Sequence, residues 1–427
     1  MLRSMYSGIS GLRNFQTKLD VIGNNIANVS TAGFKKSRIT FKDAMSQTQA
    51  GASASIETRG GKNGMQVGLG SSIASIDTIH TGSNIQSTNR NEDIAIQGDG
   101  YFVVKSGDAQ YYTRAGALYL DNNGTLVNSD GYKIQAYSVD ASGEMSQDFG
   151  DVTINVNALL PATSTSKVTL NGNLDNATKV GDVFTQQLVV VNANGEQETI
   201  EVHYKKTAVG GTAPNQTHDW QVFFNQDLSK VKENPTTATA DATIQFAADG
   251  TVKFTGTGVT TNNTVSFDPD HEADPAKSRF NNVTLAIGDL TGNTGTGTSV
   301  VAKADGYTAG RLESFSIGAS GAISGVYSNG QIATIGRLVI AKFSNSSGLN
   351  KAGGNLFQET INSGPANYAA AGEAGYGTIA SSYLEMSNVD LSEEFTEMIT
   401  AQRGFQANSR IITTSDEILQ ELVNLKR

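Results

Sequence analysis

The sequence predicts a mainly β protein with α-helical termini, in which the N- and C-terminal helices pair as a coiled-coil layer, followed by a discontinuous β domain and an inserted β-rich domain. Three observations lead to this prediction. Apolar residues recur every seven positions at both ends of the chain, short apolar runs alternate with glycine-rich turns in between, and one interior stretch differs in composition from its flanks. A length of 427 residues is enough for two or three domains at roughly 150 residues each.

The beginning of the chain predicts an amphipathic helix. Gly8, Gly11 and Gly23 lower its stability, but apolar side chains seven residues apart form a narrow row of the kind found in coiled coils. A second row falls three residues after members of the first. The first row is Met5, Leu12, Leu19 and Ile26, and the second is Phe15, Ile22 and Val29.

The end of the chain repeats this design. Asp390 followed by Glu393 predicts a helix N-cap with an acidic residue at the third helical position. An ordinary surface helix would show a similar stripe, but isolated helices of this length are only marginally stable in water. We therefore expect each terminal helix to pack on the other and on copies from neighbouring subunits. The C-terminal row is Leu391, Met398, Phe405, Ile412 and Leu419, widened by Ile411, Ile418, Leu422 and Leu425.

Charge supports this pairing of the two ends. Residues 1–50 carry seven basic and two acidic side chains, 7 − 2 = +5, whereas residues 383–427 carry four basic and eight acidic ones, 4 − 8 = −4. Exposed ion pairs are individually weak, so charge is a minor argument beside the apolar rows.

Between the helices the period of the apolar pattern changes to two, as expected for half-buried strands. Asn-Gly and Asp-Gly turns separate the apolar runs, which is typical of antiparallel hairpins. Predicted strands fall at residues 94–96, 101–104, 111–114, 118–120, 126–127, 132–134, 315–317, 332–335 and 338–343.

Residues 151–310 differ from both flanks. This stretch holds five of the six prolines, three of the four histidines and the single tryptophan, Trp220. We interpret it as a β-rich module inserted into the first one, with strands at 168–170, 188–191, 199–204, 220–224 and 252–254. The predicted division is a terminal helical coiled-coil domain at 1–34 and 386–427, an extended connector at 35–75, a discontinuous β domain at 76–150 and 311–385, and an inserted β domain at 151–310.

Composition argues against several classes of function. The formal charge is 31 − 41 = −10, which disfavours nucleic-acid binding because phosphate contacts need basic side chains. The chain has no cysteine, which excludes disulfides, cysteine-ligated metals and thiol catalysis. Its four histidines accompany no nucleophile motif. We predict no catalytic residue, no cofactor site and no metal site.

Three small motifs have alternative interpretations. Gly98-Asp99-Gly100 is a fragment of a phosphate-binding loop, but no helix pattern follows it, so a hairpin turn is favoured. The stretch from Asp121 to Gly124 resembles the start of a calcium loop, but its twelfth position is Tyr132 rather than Glu, which also favours a hairpin turn. The acidic cluster at 268–274 is either a cation site or, as we favour, a solvated loop.

Membrane insertion and a cleaved secretory signal are both disfavoured by the sequence. No run approaches the 18 or more apolar residues that a spanning helix needs. Arg13, Lys18 and Asp20 interrupt the N-terminal stretch, which therefore lacks the apolar core of a signal peptide. We expect either a cytoplasmic protein or export by a route without a cleaved signal.

Three segments of the chain resemble the bacterial flagellar rod and hook axial protein family. Residues 24–35 are similar to its N-terminal signature, where Gly33 permits a sharp change of direction after the helix. Residues 387–391 with 402–410 are similar to its C-terminal signature, and 100–104 with 112–116 to its shared β domain. The matching residues at the two ends are Asn24, Asn25, Asn28, Gly33, Phe34, Asn388, Asp390, Gln402 and Asn408.

Length distinguishes members within this family. Removing the 160 residues of 151–310 leaves 427 − 160 = 267, about the size of a distal-rod subunit, so the full chain resembles the hook subunit. The alternative is a distal-rod type subunit with an enlarged β insertion. A secreted β-rich adhesin or hydrolase is a third hypothesis, which would have to treat both terminal matches as coincidence.

The resemblance implies a structural role and not an enzyme. Hook subunits form a curved hollow tube, a universal joint that transmits torque from rod to filament outside the cell. The implied partners are other copies of the chain, the distal rod protein, the hook cap protein, the hook–filament junction protein and the flagellar type III export apparatus, with no nucleic acid and no membrane insertion. We expect the permanent contacts at Met5, Leu12, Phe15, Leu19, Ile22, Ile26, Leu391, Met398, Phe405, Ile412 and Leu419.

Overall fold

A computed structural model describes most of the chain, as two compact units. The first unit comprises Met1–Asn155, Phe315–Gly325 and Thr334–Arg427, and the second comprises Val156–Ser314 and Val326–Ala333. This division leaves the predicted four-part organisation untested, so those boundaries stay predictions. The described residues are 2–54, 59–139, 145–155, 159–211, 216–224, 226, 231, 240–247, 251–255, 264–267, 283–295 and 297–425.

Helices lie at the two ends of the chain and strands fill the described interior, which confirms the predicted mainly β fold with helical termini. The helices are α1 (Leu2–Ala27) and α2 (Leu391–Leu425). The strands before the second unit are β1 (Ser37–Asp43), β2 (Ser46–Ala50), β3 (Met65–Gly68), β4 (Ser71–Thr78), β5 (Ile85–Ser87), β6 (Ile94–Gln97), β7 (Tyr101–Ser106), β8 (Ala109–Thr113), β9 (Leu118–Leu120), β10 (Leu126–Asn128), β11 (Lys133–Val139) and β12 (Met145–Asp151).

Local sequence explains where the helices begin and end. Asp390 precedes α2, and its Oδ1 accepts the backbone N–H of Ser392 at 2.8 Å, as the predicted N-cap requires. After α1, Gly33 adopts φ +71°, and a methyl group in its place would collide with the backbone of Arg114 and Ala115. The chain therefore turns sharply against the β part of the first unit.

The stretch predicted as an extended connector, 35–75, contains paired strands. β1 pairs with β4 and β2 pairs with β3, both antiparallel. The hydroxyls of Thr40 and Ser75 lie 2.7 Å apart across the first pair. Every residue of β2 and β3 is exposed, so neither strand shows the one-sided apolar alternation by which a half-buried strand is predicted.

A sheet of the first unit follows the order β25-β11-β7-β8-β27-β26. Tyr101, Val103 and Tyr112 are buried on it and pack with Phe343 and Phe357. The remaining strands of the chain outside β13–β22 are β23 (Gly310–Ile317), β24 (Ala322–Tyr327), β25 (Ile332–Lys342), β26 (Asn350–Gly353), β27 (Leu356–Gln358), β28 (Asn367–Ala370), β29 (Thr378–Ser381) and β30 (Tyr383–Glu385).

The two predicted hairpin turns have different outcomes. Asp121 to Gly124 connects the paired strands β9 and β10, and Oδ1 of Asp121 accepts two backbone N–H groups, so that prediction is confirmed. Gly98-Asp99-Gly100 is not a hairpin turn, because β6 pairs with β29 while β7 pairs with β8. The glycines instead let the chain cross between sheets: Gly100 has φ +136° and lies too close to Ile340 to accept a side chain.

The second unit has its own β core. A five-stranded sheet runs β15-β16-β17-β18-β19 and a four-stranded sheet runs β20-β21-β14-β22, in which β14 and β21 are parallel. Trp220, Tyr204 and Phe224 are fully buried in one cluster. All five predicted strands of the insert are present, whereas the acidic cluster at 268–274 lies outside the described residues. The strands are β13 (Leu159–Leu160), β14 (Lys167–Asn173), β15 (Val183–Val191), β16 (Gln197–Gly210), β17 (Thr217–Phe224), β18 (Ala242–Phe246), β19 (Val252–Thr255), β20 (Thr264–Phe267), β21 (Val283–Thr291) and β22 (Ser299–Ala304).

Candidate assembly surface of the terminal helices

The two terminal helices pack against each other in antiparallel orientation. Residue numbers of the contacts rise along α1 as they fall along α2, as expected of a helical hairpin. The C-terminal end of α1 and the N-terminal end of α2 lie together, and this end of the pair is called its root. A methyl group on Gly404 would lie 2.6 Å from Cζ of Phe15, so any larger residue at this point would force the ring of Phe15 to move. The paired positions are Gly8 with Ile412, Gly11 with Asn408, Phe15 with Gly404, Lys18 with Glu397 and Asn25 with Glu394.

Small and polar side chains form the side of α2 that faces α1. This row is Glu394, Ala401, Asn408 and Ser415, with exposed fractions of 5% for Glu394, 0% for Ala401 and 8% for Ser415. Small side chains let the two helix axes approach closely. The contact therefore also places a glycine on one helix opposite a large side chain on the other, as with Gly404 and Phe15 or Gly8 and Ile412.

The predicted apolar row of α2 lies at the edge of this contact. Leu391 and Phe405 are exposed, at 39% and 37%, whereas Met398, Ile412 and Leu419 are half-buried. The sequence-based prediction relied on large apolar side chains. It therefore identified the row that lies next to Ala401 and Ser415, the residues that α1 covers most fully.

The predicted rows of α1 are covered unequally. Ile22 is 2% exposed, and the ring of Phe15 lies 6.4 Å from that of Phe41 on β1. The other predicted row stays half-buried along its length, at Met5, Leu12, Leu19 and Ile26. The paired strands β1 and β4, called the ribbon from here on, cover α1 on another side, where Asn14 donates a hydrogen bond to Ser71 at 2.7 Å.

Asn25 connects three elements at the root of the helix pair. Its side chain exchanges hydrogen bonds with the backbone of Ser37, at 3.0 and 2.9 Å, and its Nδ2 donates to Glu394 at 3.2 Å. Burial raises the pKa of the Glu394 carboxyl, and the hydrogen bond from Asn25 opposes this increase. Asn25 therefore fixes both the ribbon and α2 to the last turns of α1.

Asn388 performs a similar role just before α2. Its Oδ1 accepts the backbone N–H of Lys36 at 2.7 Å, and its Nδ2 donates to the carbonyl of Ile79 at 2.8 Å. Lys36 also pairs with Glu393 at 2.7 Å at the surface. The amide of Asn388 thus fixes the entry to α2 against the residue before β1 and the residue after β4.

A buried ion triad lies below the helix pair. Nζ of Lys35 is 2.6 Å from one oxygen of Glu385, and Nη1 of Arg114 is 3.2 Å from the other. The exposed fractions are 1% for Lys35 and Glu385 and 3% for Arg114. Burial lowers the pKa of Lys35, and the charge of Glu385 opposes that decrease. One carboxylate therefore joins three distant parts of the chain.

His80 lies beside the triad. Its Nδ1 is 2.7 Å from the hydroxyl of Tyr101, and its ring packs edge-on against Phe357. Burial, together with the positive charges of Lys35, Lys351 and Arg114, lowers the pKa of His80 to about 4. The imidazole is therefore neutral around pH 7.

The other signature residues have different environments. Gly33 donates its N–H to the carbonyl of Glu385 at 2.8 Å, and Nζ of Lys351 lies 5.1 Å above the ring of Phe34. The side chains of Asn28 and Asn408 donate to carbonyls four residues earlier, on Asn24 and Gly404. Asn24 and Gln402 are exposed.

Sequence reasoning missed the triad, the ion pairs Lys18–Glu397 and Lys36–Glu393, and the row of α2 that contains Ala401. Lys35 and Arg114 stood within motifs that were recognised, but Glu385 lies 350 residues from Lys35 and no local pattern connects them. Within the described residues, no group of three His, Asp or Glu side chains is arranged to hold a metal ion, and no helix is long and apolar enough to cross a bilayer.

Three family models match separate parts of the chain. "Flagella basal body rod protein" matches residues 5–35, "Flagellar hook protein FlgE/F/G D1 domain" matches 95–175, and "Flagellar basal body rod FlgEFG protein C-terminal" matches 380–425. Each of the triad residues Lys35, Arg114 and Glu385 falls in a different match.

Full-length relatives decide the family. The flagellar hook protein FlgE of Treponema pallidum is 38% identical over all of both chains, and that of Escherichia coli is 33% identical over 98% of each. The chain belongs to the flagellar hook protein FlgE family. The flagellar basal-body rod protein FlgG of Bacillus subtilis is 39% identical over all of both chains. Because that rod-named relative spans the whole chain, length alone does not separate hook-named from rod-named relatives.

A solved FlgE-family structure shares the fold. The flagellar hook protein FlgE2 of Helicobacter pylori superimposes with a TM-score of 0.53 at 14% identity, covering 70% of this chain and all of the other. At that identity the similarity concerns the fold alone.

Proposed function

We propose that this chain is a structural subunit of the flagellar hook, which polymerises through its terminal helices into a curved hollow tube and transmits torque from rod to filament as a universal joint. Full-length similarity to proteins named as flagellar hook proteins supports the hook. The observation that supports polymerisation is the incomplete burial of the helix pair: the large apolar rows of both helices stay half-buried or exposed.

The geometry of the pair places these rows together. In antiparallel helices, rows that lie on the same rotational side of the contact meet on one face. The row of Met5, Leu12, Leu19 and Ile26 and the row of Met398, Phe405, Ile412 and Leu419 both lie on that side. The result is one continuous apolar face, which in a polymer is covered by neighbouring copies through contacts that do not close on themselves.

Polymerisation of a Phe405→Ala variant tests this proposal. The ring of Phe405 is 37% exposed in the subunit, so its loss should leave the monomer folded but block or strongly weaken assembly. Phe405→Leu is the matched control, because it keeps an apolar side chain at the same position and should polymerise. Sedimentation measures assembly, and far-UV circular dichroism checks the fold. Normal polymers from Phe405→Ala would contradict the proposed role of this face.

The rod-type subunit remains the second candidate, since the rod-named Bacillus relative spans the whole chain. Electron microscopy of polymers separates the two functions, because a hook subunit should give curved tubes and a rod subunit straight ones. Straight tubes from the wild-type chain would favour the rod.

The remaining parts of the proposal follow from family membership. We assign no catalytic role. The proposed partners are further copies of the chain, the distal rod protein, the hook cap protein, the hook–filament junction protein and the flagellar type III export apparatus. The proposed location is the extracellular hook on the basal body, reached without a cleaved signal peptide.

A further inference from the structure

A groove runs along the side of α1 that faces away from α2. Tyr6, Ile9 and Arg13 line it from the helix and Ile73 lines it from β4, around a cavity of about 450 Å³. Tyr6 and Ile9 are 69% and 37% exposed. Spacings of three and seven residues place Tyr6, Ile9 and Arg13 on one face of the helix, roughly half a turn from the glycines that contact α2. The subunit's own α2 therefore leaves this groove open.

The distal half of α2 exposes a second apolar row. Ile411 and Ile418 are 46% and 44% exposed and lie seven residues apart, so they share one flank of the helix. Glu417 and Glu421, four residues apart, lie beside this row. Within the described chain, neither carboxylate forms an ion pair.

We infer that the groove of one copy receives residues 411–421 of α2 from a second copy. This inference rests on the proposed function and specifies one of the contacts that hold the polymer together. Each α1 then lies between its own α2 on one side and the α2 of a neighbour on the other.

Both surfaces expose apolar side chains. The groove offers Tyr6, Ile9 and Ile73 to the isoleucine pair, so that apolar side chains exposed on both copies leave water together. Each apolar side chain of this size that becomes buried acts as an anchor for the contact. A few such anchors at the centre of a contact commonly supply most of its affinity.

Charge is complementary as well. Arg13 is exposed and forms no ion pair with another described residue, while Glu417 and Glu421 border the isoleucine row. The two ends of the chain carry opposite net charge, +5 over residues 1–50 and −4 over 383–427. Complementary charge of this kind orients partners during association and disfavours wrong ones.

The symmetry of the contact suits a filament. The groove and the isoleucine row are different surfaces of the same molecule, so a copy that donates its α2 still has an empty groove of its own. Such a heterologous contact repeats without closing and generates a helical array.

Cysteine cross-linking tests the contact directly, because the natural chain contains no cysteine. Copies carrying Ile9→Cys are mixed with copies carrying Ile418→Cys, polymerised and oxidised. We expect a disulfide between the two kinds of copy in polymers and none in monomers. The control mixture pairs Ile9→Cys with Phe395→Cys, since Phe395 is 48% exposed on a different flank of α2 and should not react.

Charge reversal gives an independent readout. Arg13→Glu should raise the critical concentration for polymerisation about fivefold, the size of a lost ion pair. Adding Glu417→Arg or Glu421→Arg to the same chain should restore the wild-type value. A stability defect would not be rescued in this way, because the exposed side chain of Arg13 has no described ion pair within the subunit.

The outcomes separate this inference from the proposed function. Polymers that form normally but lack the link between positions 9 and 418, or that link position 9 to position 9, would overturn the groove and leave the hook subunit standing. Rescue of Arg13→Glu together with the expected link would establish it. A wild-type chain that never polymerises would overturn the proposed function and this contact with it.

Discussion

The second unit and the helix pair differ in how many apolar side chains they bury within the subunit. Trp220, Tyr204 and Phe224 are fully buried in the second unit within an extensive apolar cluster. Among the described residues of α1 and α2, by contrast, Ile22 and Ala401 are the only buried apolar side chains. The second unit is complete as a folded body, whereas the helix pair contains apolar side chains that only further contacts can bury.

The largest effect should come from the core of the second unit. Trp220→Ala removes a fully buried side chain whose indole N–H has no partner among the described residues, so the loss is one of packing. We expect about 5 kcal/mol of destabilisation, measured by urea unfolding followed by far-UV circular dichroism. Val189→Ala is the control, since Val189 is 45% exposed on β15 and should cost little. Equal losses from both variants would contradict a self-sufficient core.

The next effect concerns the triad below the helix pair. Glu385→Gln keeps the shape but removes the negative charge that compensates Lys35 and Arg114, which should cost about 3 kcal/mol. The loss should appear as faster amide exchange at Gly33, whose N–H bonds the Glu385 carbonyl. Glu393→Gln, which breaks only a surface pair, serves as the control. Unchanged exchange at Gly33 would show that the triad does not hold the helix root.

A smaller effect separates helix propensity from packing. Gly23→Ala places its methyl group in open space, so it should stabilise α1 by up to about 1 kcal/mol. Gly404→Ala gains the same propensity but drives a methyl group into the ring of Phe15. We expect that variant to loosen the helix pair, seen as faster amide exchange along both helices. If Gly404→Ala instead slowed amide exchange, close approach of the two helices at Gly404 would not be what stabilises their contact.

The smallest effect should come from pH, which should change the stability of the helix pair and of the β part of the first unit in opposite directions. The raised pKa of Glu394 means that its contribution is fully present below the ordinary glutamate pKa and is lost as pH rises through the folded value. His80, with its pKa lowered to about 4, behaves in the reverse way and destabilises the fold as pH falls from about 6.5 towards 4.

Acidification should therefore tighten the helix pair while weakening the β part of the first unit. Amide exchange at pH 5 and pH 7 measures both responses. Glu394→Gln should abolish the first response and His80→Phe the second. A single response of the same sign in both regions would contradict this assignment.

Local sequence was sufficient to predict those structural features that depend on neighbouring residues. The helices, the N-cap at Asp390, the turn after Asp121 and the strands of the insert all follow from patterns within a few residues. The prediction at Gly98-Asp99-Gly100 failed because the partner of β6 is β29, which lies far away in the sequence. The pairing of β2 with β3 was not predicted, because every residue of both strands is exposed and neither strand shows an apolar alternation.

The candidate site was only partly accessible from sequence for the same reason. Periodicity identified the correct helices and the apolar rows, but which row α1 covers depends on how closely two backbones approach, and Gly404 sets that distance from the other end of the chain. The triad depends on three segments whose proximity exists only in the folded molecule. The assignment of the apolar rows to contacts between subunits stays a prediction.

The position of Glu385 in the sequence also sets a schedule for folding. Lys35 precedes it by 350 residues, so at about 5–20 residues per second synthesis takes about 20–70 s to supply the missing carboxylate. Until then Lys35 must remain hydrated, because burying an unpaired ammonium is costly. Closing the triad is thus necessarily a late event in the life of the chain, and the root of both helices cannot become rigid before the last tenth of the sequence has arrived.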